Sequence, residues 1–271
     1  MSGINNKRKE DEVIKPVYPR IILGLDVSTS CIGAVIVKDD GSDNPPKLLK
    51  MMHLSPKIKD KYKGLEALFK RKEVFENEFI TSLKNYGITD VVIEEPLLTA
   101  NNAMTVATLL RFNGMISESV YRVLGIMPSF ISSYDARMYS FPELVSLRKY
   151  NKRGEEYPLK HVEDAIKKNH IVLFGSYPFD IDKKSIMMNM VNTIYDEIFW
   201  IKNKSGELLK QNYDACDALI CALAFVNINH NGLQIPKIED VKITKDKKNT
   251  IIDYNISIWG KKYPKKLFLD N

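Results

Sequence analysis

The stretch ILGLDVSTSCIGAVIV (22–37) determines the fold class that the rest of the chain must accommodate. It begins with an apolar run that ends in the carboxylate of Asp26, and the apolar segment CIGAVIVK (31–38) follows closely. A third segment, KLLKMMH (47–53), comes after the turn-rich sequence DDGSDNPP (39–46). Short apolar segments separated by Gly, Pro, Asn and Asp are typical of strands joined by turns. The pattern therefore predicts an antiparallel three-stranded meander.

Helical and strand patterns alternate after this meander. Apolar residues recur at helical spacing over 64–85 and 102–124, and DVVIEE (90–95) and PSFISS (128–133) have the character of strands. This succession predicts an α/β fold, a mixed five-stranded sheet in which the meander is joined by parallel strands and flanked by helices. Further helices are predicted at 159–170, 183–201 and 214–227, and a further strand or hairpin at 250–260.

Changes in composition along the chain predict its organisation. The polar residues 1–19 are expected to be a flexible N-terminal arm. Residues 20–230 are expected to form the main domain, with an insertion at about 138–181, where the periodic pattern loosens. Residues 231–271 are expected to form a basic C-terminal extension, since nine lysines and five acidic residues fall within 233–271.

Composition also excludes several classes of protein. The 271 residues carry 40 Lys and Arg against 34 Asp and Glu, a net charge of +6 that leans mildly toward polyanionic partners. Three cysteines without zinc-ligand spacing exclude a disulfide scaffold and point to a reducing, cytoplasmic location. The apolar run 218–226 is too short to cross a bilayer, and the charged N-terminus has no apolar signal core. We therefore expect neither a membrane protein nor a secreted one.

Four carboxylates occupy positions that a protein core normally excludes. Asp26 and Glu94 each end an apolar strand, whereas Asp214 and Asp217 lie three residues apart in the apolar helical segment DACDALICALAFVN (214–227). A spacing of three places both aspartates on one helical face. Buried carboxylates are usually paired, neutralised or bound to a metal, and oxygen ligands favour Mg²⁺ or Mn²⁺.

Each of these residues also has a simpler interpretation. Asp26 is compatible with a turn, Glu94 with the polar end of a strand, and Asp214 with a helix N-cap. Asp217 is harder to explain in this way, because a core-facing helix position seldom holds an unpaired acid. Glu95 competes with Glu94. Because adjacent residues on a strand point to opposite faces, we do not expect both to coordinate together, and we favour Glu94 for the isoleucine that precedes it.

The segments 22–37, 91–120 and 213–224 resemble the RuvC-type Holliday junction resolvases of the RNase H-like (retroviral integrase) superfamily. In this resemblance Asp26 corresponds to the first-strand aspartate, Glu94 to the glutamate of the I-E motif, and Asp214 with Asp217 to the D-x-x-D pair. A weaker match, DKKSIMMNMVNTI (182–194), places Lys184 where the family has a basic residue near the scissile phosphate.

The resemblance implies an RNase H-like fold and a Mg²⁺-dependent endonuclease. It implies two metal ions per site, replaceable by Mn²⁺ and held by the four carboxylates, and branched DNA, foremost Holliday junctions, as substrate. It also implies a homodimer, for which the apolar face of helix 102–124 is our candidate contact surface. Where the family has a base-unstacking aromatic, this chain has Leu97. This departure, the insertion and the extension are more typical of phage or viral members, which tend to cleave branched DNA more broadly.

Two other functions remain open at this stage. LGLDVSTSCIG (23–33) also resembles the first phosphate-binding turn of actin-like ATPases and sugar kinases, in which Ser28, Thr29 and Ser30 would contact phosphates. The sequence has no second glycine-rich phosphate loop and only 13 glycines, which weighs against that interpretation. A non-catalytic DNA-binding protein with the same fold is the other alternative, although four unneutralised acids would repel DNA.

Overall fold

A five-stranded mixed sheet forms the centre of the protein in the computed structural model, which describes residues 17–96, 102–196, 198–232 and 236–258. The sheet order is β3-β2-β1-β4-β5, and β1 pairs antiparallel with β2 but parallel with β4. This arrangement confirms the predicted α/β fold class. Its strands are β1 Arg20–Val27, β2 Ile32–Asp39, β3 Lys47–Leu54, β4 Asp90–Glu94 and β5 Ser129–Ile131.

Six α-helices accompany the sheet within the described ranges. They are α1 Gly64–Val74, α2 Ala103–Leu124, α3 Ser133–Ser140, α4 Lys160–Lys167, α5 Lys183–Asn192 and α6 Gln211–Asn231. α2 begins where the Asn102 side chain accepts hydrogen bonds from the amides of Met104 and Thr105, and it ends at Gly125, which has a left-handed conformation. No helix in the described ranges is long and apolar enough to cross a membrane.

The alternation of side chains along the strands creates two separate cores. On β1, Ile22 packs with Leu219 of α6, whereas Leu23 and Leu25 pack with Phe112 of α2 on the opposite face. Gly24 and Asp26 therefore share the face of Ile22. The same rule puts Val92 and Glu94 of β4 on the α6 face, so the sheet directs Asp26 and Glu94 toward the same helix.

Two glycines allow α6 to lie unusually close to this face. A Cβ atom at Gly24 would lie 2.3 Å from the carbonyl oxygen of Ala218, and one at Gly33 would lie 2.1 Å from the carbonyl oxygen of Asp214. Gly33 is the register partner of Asp26 on the neighbouring strand. The missing side chains therefore admit the backbone of α6 directly beside the strand that ends in Asp26.

Two predicted helices differ from the observed ones. The pattern over 64–85 becomes α1 followed by a π-helical turn (Phe75–Phe79) and a 3₁₀ segment (Ile80–Tyr86), and this change of winding lets Phe75, Phe79, Ile80 and Leu83 all face the core. The predicted helix 183–201 ends at Asn192. Beyond it, the Tyr195 hydroxyl donates to the carbonyl of Pro46 and the Trp200 indole donates to Asn192, and these contacts hold the chain in a different path.

Smaller elements fill the later part of the chain. Two short strands, β6 Val145–Leu147 and β7 Ile171–Leu173, pair antiparallel, and α4 lies between them in the sequence. Strands β8 Ile238–Lys245 and β9 Ile251–Ile258 pair antiparallel, which confirms the hairpin predicted near the C-terminus. Residues 138–147 contribute Tyr139, Phe141 and Leu144 to the core beside α6, so the beginning of the predicted insertion is part of the main fold.

Part of the apolar face of helix 102–124, our candidate dimer contact, is covered within one chain, whereas Leu110 on the same helix is 44% exposed. The covered part comprises Phe112, Ile116 and Val120, which are fully buried in the core between α2 and the sheet. Because these side chains are already covered within one chain, this part of the helix cannot also cover a partner.

Substitution of Gly33 tests the close approach of α6. We expect Gly33→Ala to lower the free energy of unfolding by about 1–3 kcal/mol or more, because the new methyl group would overlap the backbone of Asp214. The matched control is Gly114→Ala on α2, where no atom lies within 4 Å of the added Cβ. This control should be neutral or stabilise the helix by up to about 1 kcal/mol. Equal unfolding midpoints in urea for the two variants would contradict the proposed packing role of Gly33.

Candidate metal centre

Three carboxylates converge at one edge of the sheet. Oxygen atoms of Asp26, Glu94 and Asp217 all lie within 4.8 Å of one another. Asp26 stands near the end of β1 and Glu94 ends the parallel strand β4, whose register with β1 runs up to the pair Leu25 and Ile93. Because parallel neighbours bring their carboxyl ends to the same edge, the two acids meet there, and α6 adds Asp217 from above.

Asp214 lies beside this group but outside it. Its negative charge raises the pKa of both Asp26 and Glu94. The four predicted carboxylates thus fall into a converging set of three and a neighbour one turn closer to the N-terminus of α6.

The two adjacent glutamates lie on opposite sides of β4. Glu94 faces α6 together with Asp26, whereas Glu95 is exposed and its backbone amide donates to the carbonyl of Ile131. Glu95 therefore offers a chemically identical side chain, next in sequence, that lies outside the carboxylate group.

Burial and mutual repulsion make these acids hard to ionise together. Burial is the largest cause that raises the pKa of Asp26 well above its usual range, and the charges of Glu94, Asp217 and Asp214 raise it further. Burial and the Asp217 charge raise the pKa of Glu94 to about 7. Burial also raises the pKa of Asp217, although Arg137 opposes the shift. A positive charge placed among the three oxygens would relieve this penalty.

Two basic side chains border the carboxylates. An Arg137 terminal nitrogen donates to Asp217 Oδ1 at 3.5 Å, while the buried Arg137 Nε has no hydrogen-bond partner among the described residues. Lys184 lowers the pKa of all three acids, and its ammonium lies 4.8 Å from the centre of the Tyr213 ring. Lys184 was predicted from the sequence, whereas Arg137 was not. The available signal for Arg137 was its place between the buried Ala136 and Met138, on the helix that follows the last parallel strand.

The turn after β1 is closed by its own hydrogen bonds. The Ser28 hydroxyl donates to the carbonyl of Cys31 and accepts from the Cys31 amide, and the Asn113 side chain donates to the carbonyl of Val27. Ser28 thus stabilises the turn that follows Asp26. Its hydroxyl is used within the protein, as a turn residue requires.

The donor set fits a hard divalent cation. All three converging ligands are carboxylate oxygens, and they are carried by two strands and a helix that hold them in place. Cysteine does not contribute, because burial raises the pKa of Cys221 well above its usual range and that of Cys216 likewise, which keeps both thiols protonated. Asp26, Glu94 and Asp217 are the residues that could hold a metal ion of the Mg²⁺ or Mn²⁺ type.

The repulsion predicts a specific dependence of stability on pH and metal. Glu94 has a pKa of about 7 in the folded protein against an ordinary value of 4.5, so without metal its contribution to the free energy of unfolding is lost as pH rises through about 7. At pH 8 without metal, Glu94→Gln should therefore raise the melting temperature by a few degrees. Addition of Mg²⁺ should raise the melting temperature of the unsubstituted protein and have a smaller effect on the variant.

Glu95→Gln is the matched control for this measurement, because it removes the same charge from an exposed position. It should leave both the metal-free melting temperature and the Mg²⁺ response unchanged. If Glu94→Gln and Glu95→Gln behave alike in differential scanning calorimetry, the carboxylates do not form the repulsive cluster described above.

Among solved structures, two of RuvC and one of a Ppx/GppA enzyme are similar to this chain to different degrees. RuvC of Thermus thermophilus is 12% identical with a TM-score of 0.46, over 78% of this chain and 96% of that one. T. thermophilus RuvC in complex with a Holliday junction substrate is 10% identical with a TM-score of 0.47, over 79% and 96%. A Ppx/GppA enzyme of Aquifex aeolicus is 13% identical with a TM-score of 0.30, over 46% and 42%. No protein-family model and no curated protein matches this chain.

Proposed function

We propose that the protein is a metal-dependent endonuclease that cleaves branched DNA, with the Holliday junction as its principal substrate. The observation that carries this proposal is the convergence of Asp26, Glu94 and Asp217 beside two cationic side chains. Carboxylates that hold divalent cations next to basic groups are suited to the hydrolysis of phosphodiesters. The order of the acidic motifs in the sequence, which resembles that of the RuvC-type resolvases, supports the same function.

The residues have distinct roles in this proposal. Asp26, Glu94 and Asp217 would hold Mg²⁺, and Asp214 would contribute to a second cation position. Bound Mg²⁺ supplies Lewis-acid stabilisation of the phosphate and an activated water for in-line attack. Lys184, which is exposed on one side and faces the carboxylates on the other, offsets the negative charge of the scissile phosphate. Arg137 fixes the orientation of Asp217 and limits the repulsion among the acids.

Charge considerations favour a nucleic acid substrate that binds together with the metal. The chain has a net charge of +6, yet the carboxylates of Asp26, Glu94 and Asp217 converge where the scissile phosphate would bind in this proposal. Without cations this group would repel DNA, and with them it becomes a phosphate site. The non-catalytic DNA-binding alternative does not explain why three acids converge at one point with a fourth beside them.

We also propose that the protein acts as a homodimer, as the resemblance implies. A four-way junction has approximate twofold symmetry, so two symmetric nicks require two active sites in opposite orientations. The insertion and the basic extension are features that the resemblance associates with phage or viral enzymes, and they accord with a broader choice of branched substrates.

Removal of one metal ligand tests the assignment of the site. Asp217→Asn should reduce cleavage of a labelled four-way junction by roughly a hundredfold or more, because metal ligation contributes several kcal/mol to catalysis and an amide is a poor Mg²⁺ ligand. Junction binding in a gel-shift assay should be retained. Glu94→Gln should behave like Asp217→Asn, whereas Glu95→Gln should cleave at the unsubstituted rate. Full cleavage by Asp217→Asn would refute the proposed site.

The choice of substrate is tested with the same preparation. A four-way junction, a Y-fork and a linear duplex should be incubated with Mg²⁺, Mn²⁺ or EDTA. Symmetric paired nicks in the junction would support resolution by a dimer, and cleavage of junction and fork alike would support the broader specificity. Tight binding of Mg-ATP without cleavage of any DNA would instead favour the kinase-like alternative.

A further inference from the structure

An exposed patch of aromatic and basic residues lies next to the carboxylate group. We call this patch the aromatic ledge and define it by Arg148, Tyr177, Phe179, Lys183 and Lys184. Arg148 directly follows β6, Tyr177 and Phe179 lie between β7 and α5, and the two lysines begin α5. All of these residues except Lys184 line one recess of about 80 Å³. Phe179 is 58% exposed and Tyr177 is 39% exposed, so both rings are accessible to a ligand beside the basic side chains of the same recess.

The ledge is rigidly supported from below. The buried Phe174 has a positive φ of 59°, which a bulky residue adopts only where the surroundings hold it. Its amide donates to the carbonyl of Leu144, and the next carbonyl, that of Gly175, accepts from the amide of Lys149. The Tyr177 ring packs edge-on against Phe174, and Lys183 lies 5.8 Å above the same ring. Phe174 thus supports the Tyr177 ring and the Lys183 side chain from below.

Positive charge surrounds the exposed rings. Nine basic and six acidic residues fall within 148–184, a difference of +3. The turn that carries the exposed Lys152 and Arg153 is ordered by the Asn151 side chain and approaches the backbone of Phe179. Two acids lie beside the rings: Asp182 caps α5 through the amides of Lys184 and Ser185, and the exposed Asp180 directly follows Phe179. The surface is therefore suited to an anionic ligand that also has flat apolar faces.

The ledge is continuous with the candidate metal centre. Lys183 belongs to the ledge recess, and the next residue, Lys184, lies over Tyr213, which directly precedes Asp214 on α6. The adjacent residues Lys183 and Lys184 therefore connect the ledge with the basic side of the carboxylate group. The chain also has Leu97 at the position where the resemblance placed a base-unstacking aromatic, a residue outside the described ranges.

We propose that the aromatic ledge binds unpaired nucleotides of the DNA strand beside the scissile phosphate, with Tyr177 and Phe179 stacking on bases and Arg148, Lys183 and Lys184 contacting phosphates. This inference rests on the proposed function for the position of the DNA. Stacking on exposed rings tolerates any base sequence, and the basic rim follows the backbone. The ledge thereby gives the insertion a role in selecting branch points, where bases are unpaired.

The test compares binding of two DNA forks that differ in one arm. One arm is unpaired next to the branch and carries 2-aminopurine there, and the other fork is fully paired. Binding is measured with Ca²⁺ in place of Mg²⁺, since Ca²⁺ takes the same oxygen ligands. The unsubstituted protein should bind the unpaired fork more tightly and change the 2-aminopurine fluorescence. Phe179→Ala and Tyr177→Ala should each weaken binding of that fork by roughly five- to a hundredfold.

Matched variants separate stacking from packing. Phe179→Tyr and Tyr177→Phe should retain the preference, whereas Phe179→Leu, which keeps an apolar side chain without a ring, should lose it. Phe69→Ala removes a ring that is 49% exposed on α1, which packs on the other face of the sheet, and should have no effect. Arg148→Gln and Lys183→Gln should each reduce the slope of log affinity against log salt by about one for both forks.

The outcomes distinguish this inference from the proposed function. If ring removal leaves binding of the unpaired fork unchanged while the protein still cleaves junctions in Mg²⁺, the ledge is not a nucleotide site, and a protein partner becomes the alternative occupant. If ring removal abolishes the preference although no DNA is cleaved, the ledge stands and the nuclease assignment fails. Equal binding of the two forks by the unsubstituted protein would overturn the inference outright.

Discussion

Electrostatic repulsion among buried carboxylates is the constraint on which this structure depends. Asp26, Glu94 and Asp217 are close enough to share one ligand, and burial raises the pKa of each. A fold that brings three acids together without cations loses stability at neutral pH, and Arg137 and Lys184 compensate only in part. The arrangement is physically reasonable if a divalent cation occupies it in the working protein, and the proposed phosphodiester chemistry follows from that occupancy.

The remainder of the fold serves to hold this group in place. Parallel pairing of β1 and β4 brings two of the acids to one edge, and the side-chain alternation on each strand directs them to the same face. Gly24 and Gly33 then allow α6 to approach until its backbone touches the sheet. A single methyl group at either glycine would overlap the backbone of the helix that carries Asp217. The proposed metal site thus depends on Gly24 and Gly33, which have no side chain to take part in catalysis.

Much of this arrangement could be predicted from the sequence, because it follows from local patterns. Alternation along the strands and the three-residue spacing in α6 singled out Asp26, Glu94, Asp214 and Asp217. The pleat indicated that Glu94 and Glu95 would not both coordinate, and the isoleucine before Glu94 favoured that residue. The same spacing could not show that Asp214 would lie outside the converging set. Three residues advance a helix by about 4.5 Å along its axis, so only the docking of α6 determines which aspartate meets the strands.

Features that depend on tertiary contacts escaped prediction. Arg137 belongs to α3, whose packing against α6 brings it to Asp217 from 80 residues away, and no local pattern encodes that contact. The predicted helix beyond Asn192 was wrong because Tyr195 bonds to Pro46 on a distant turn. The role of Gly24 and Gly33 could not be predicted either, because it depends on the close approach of α6 to the sheet.

Anomalous scattering from crystals soaked in Mn²⁺ tests the central claim most directly, because it locates the cation without reference to activity. The account predicts a peak bonded to carboxylate oxygens of Asp26, Glu94 and Asp217 in the unsubstituted protein, and a weakened or lost peak in crystals of Asp217→Asn. A protein that binds Mn²⁺ elsewhere and leaves these three oxygens without a peak would contradict it.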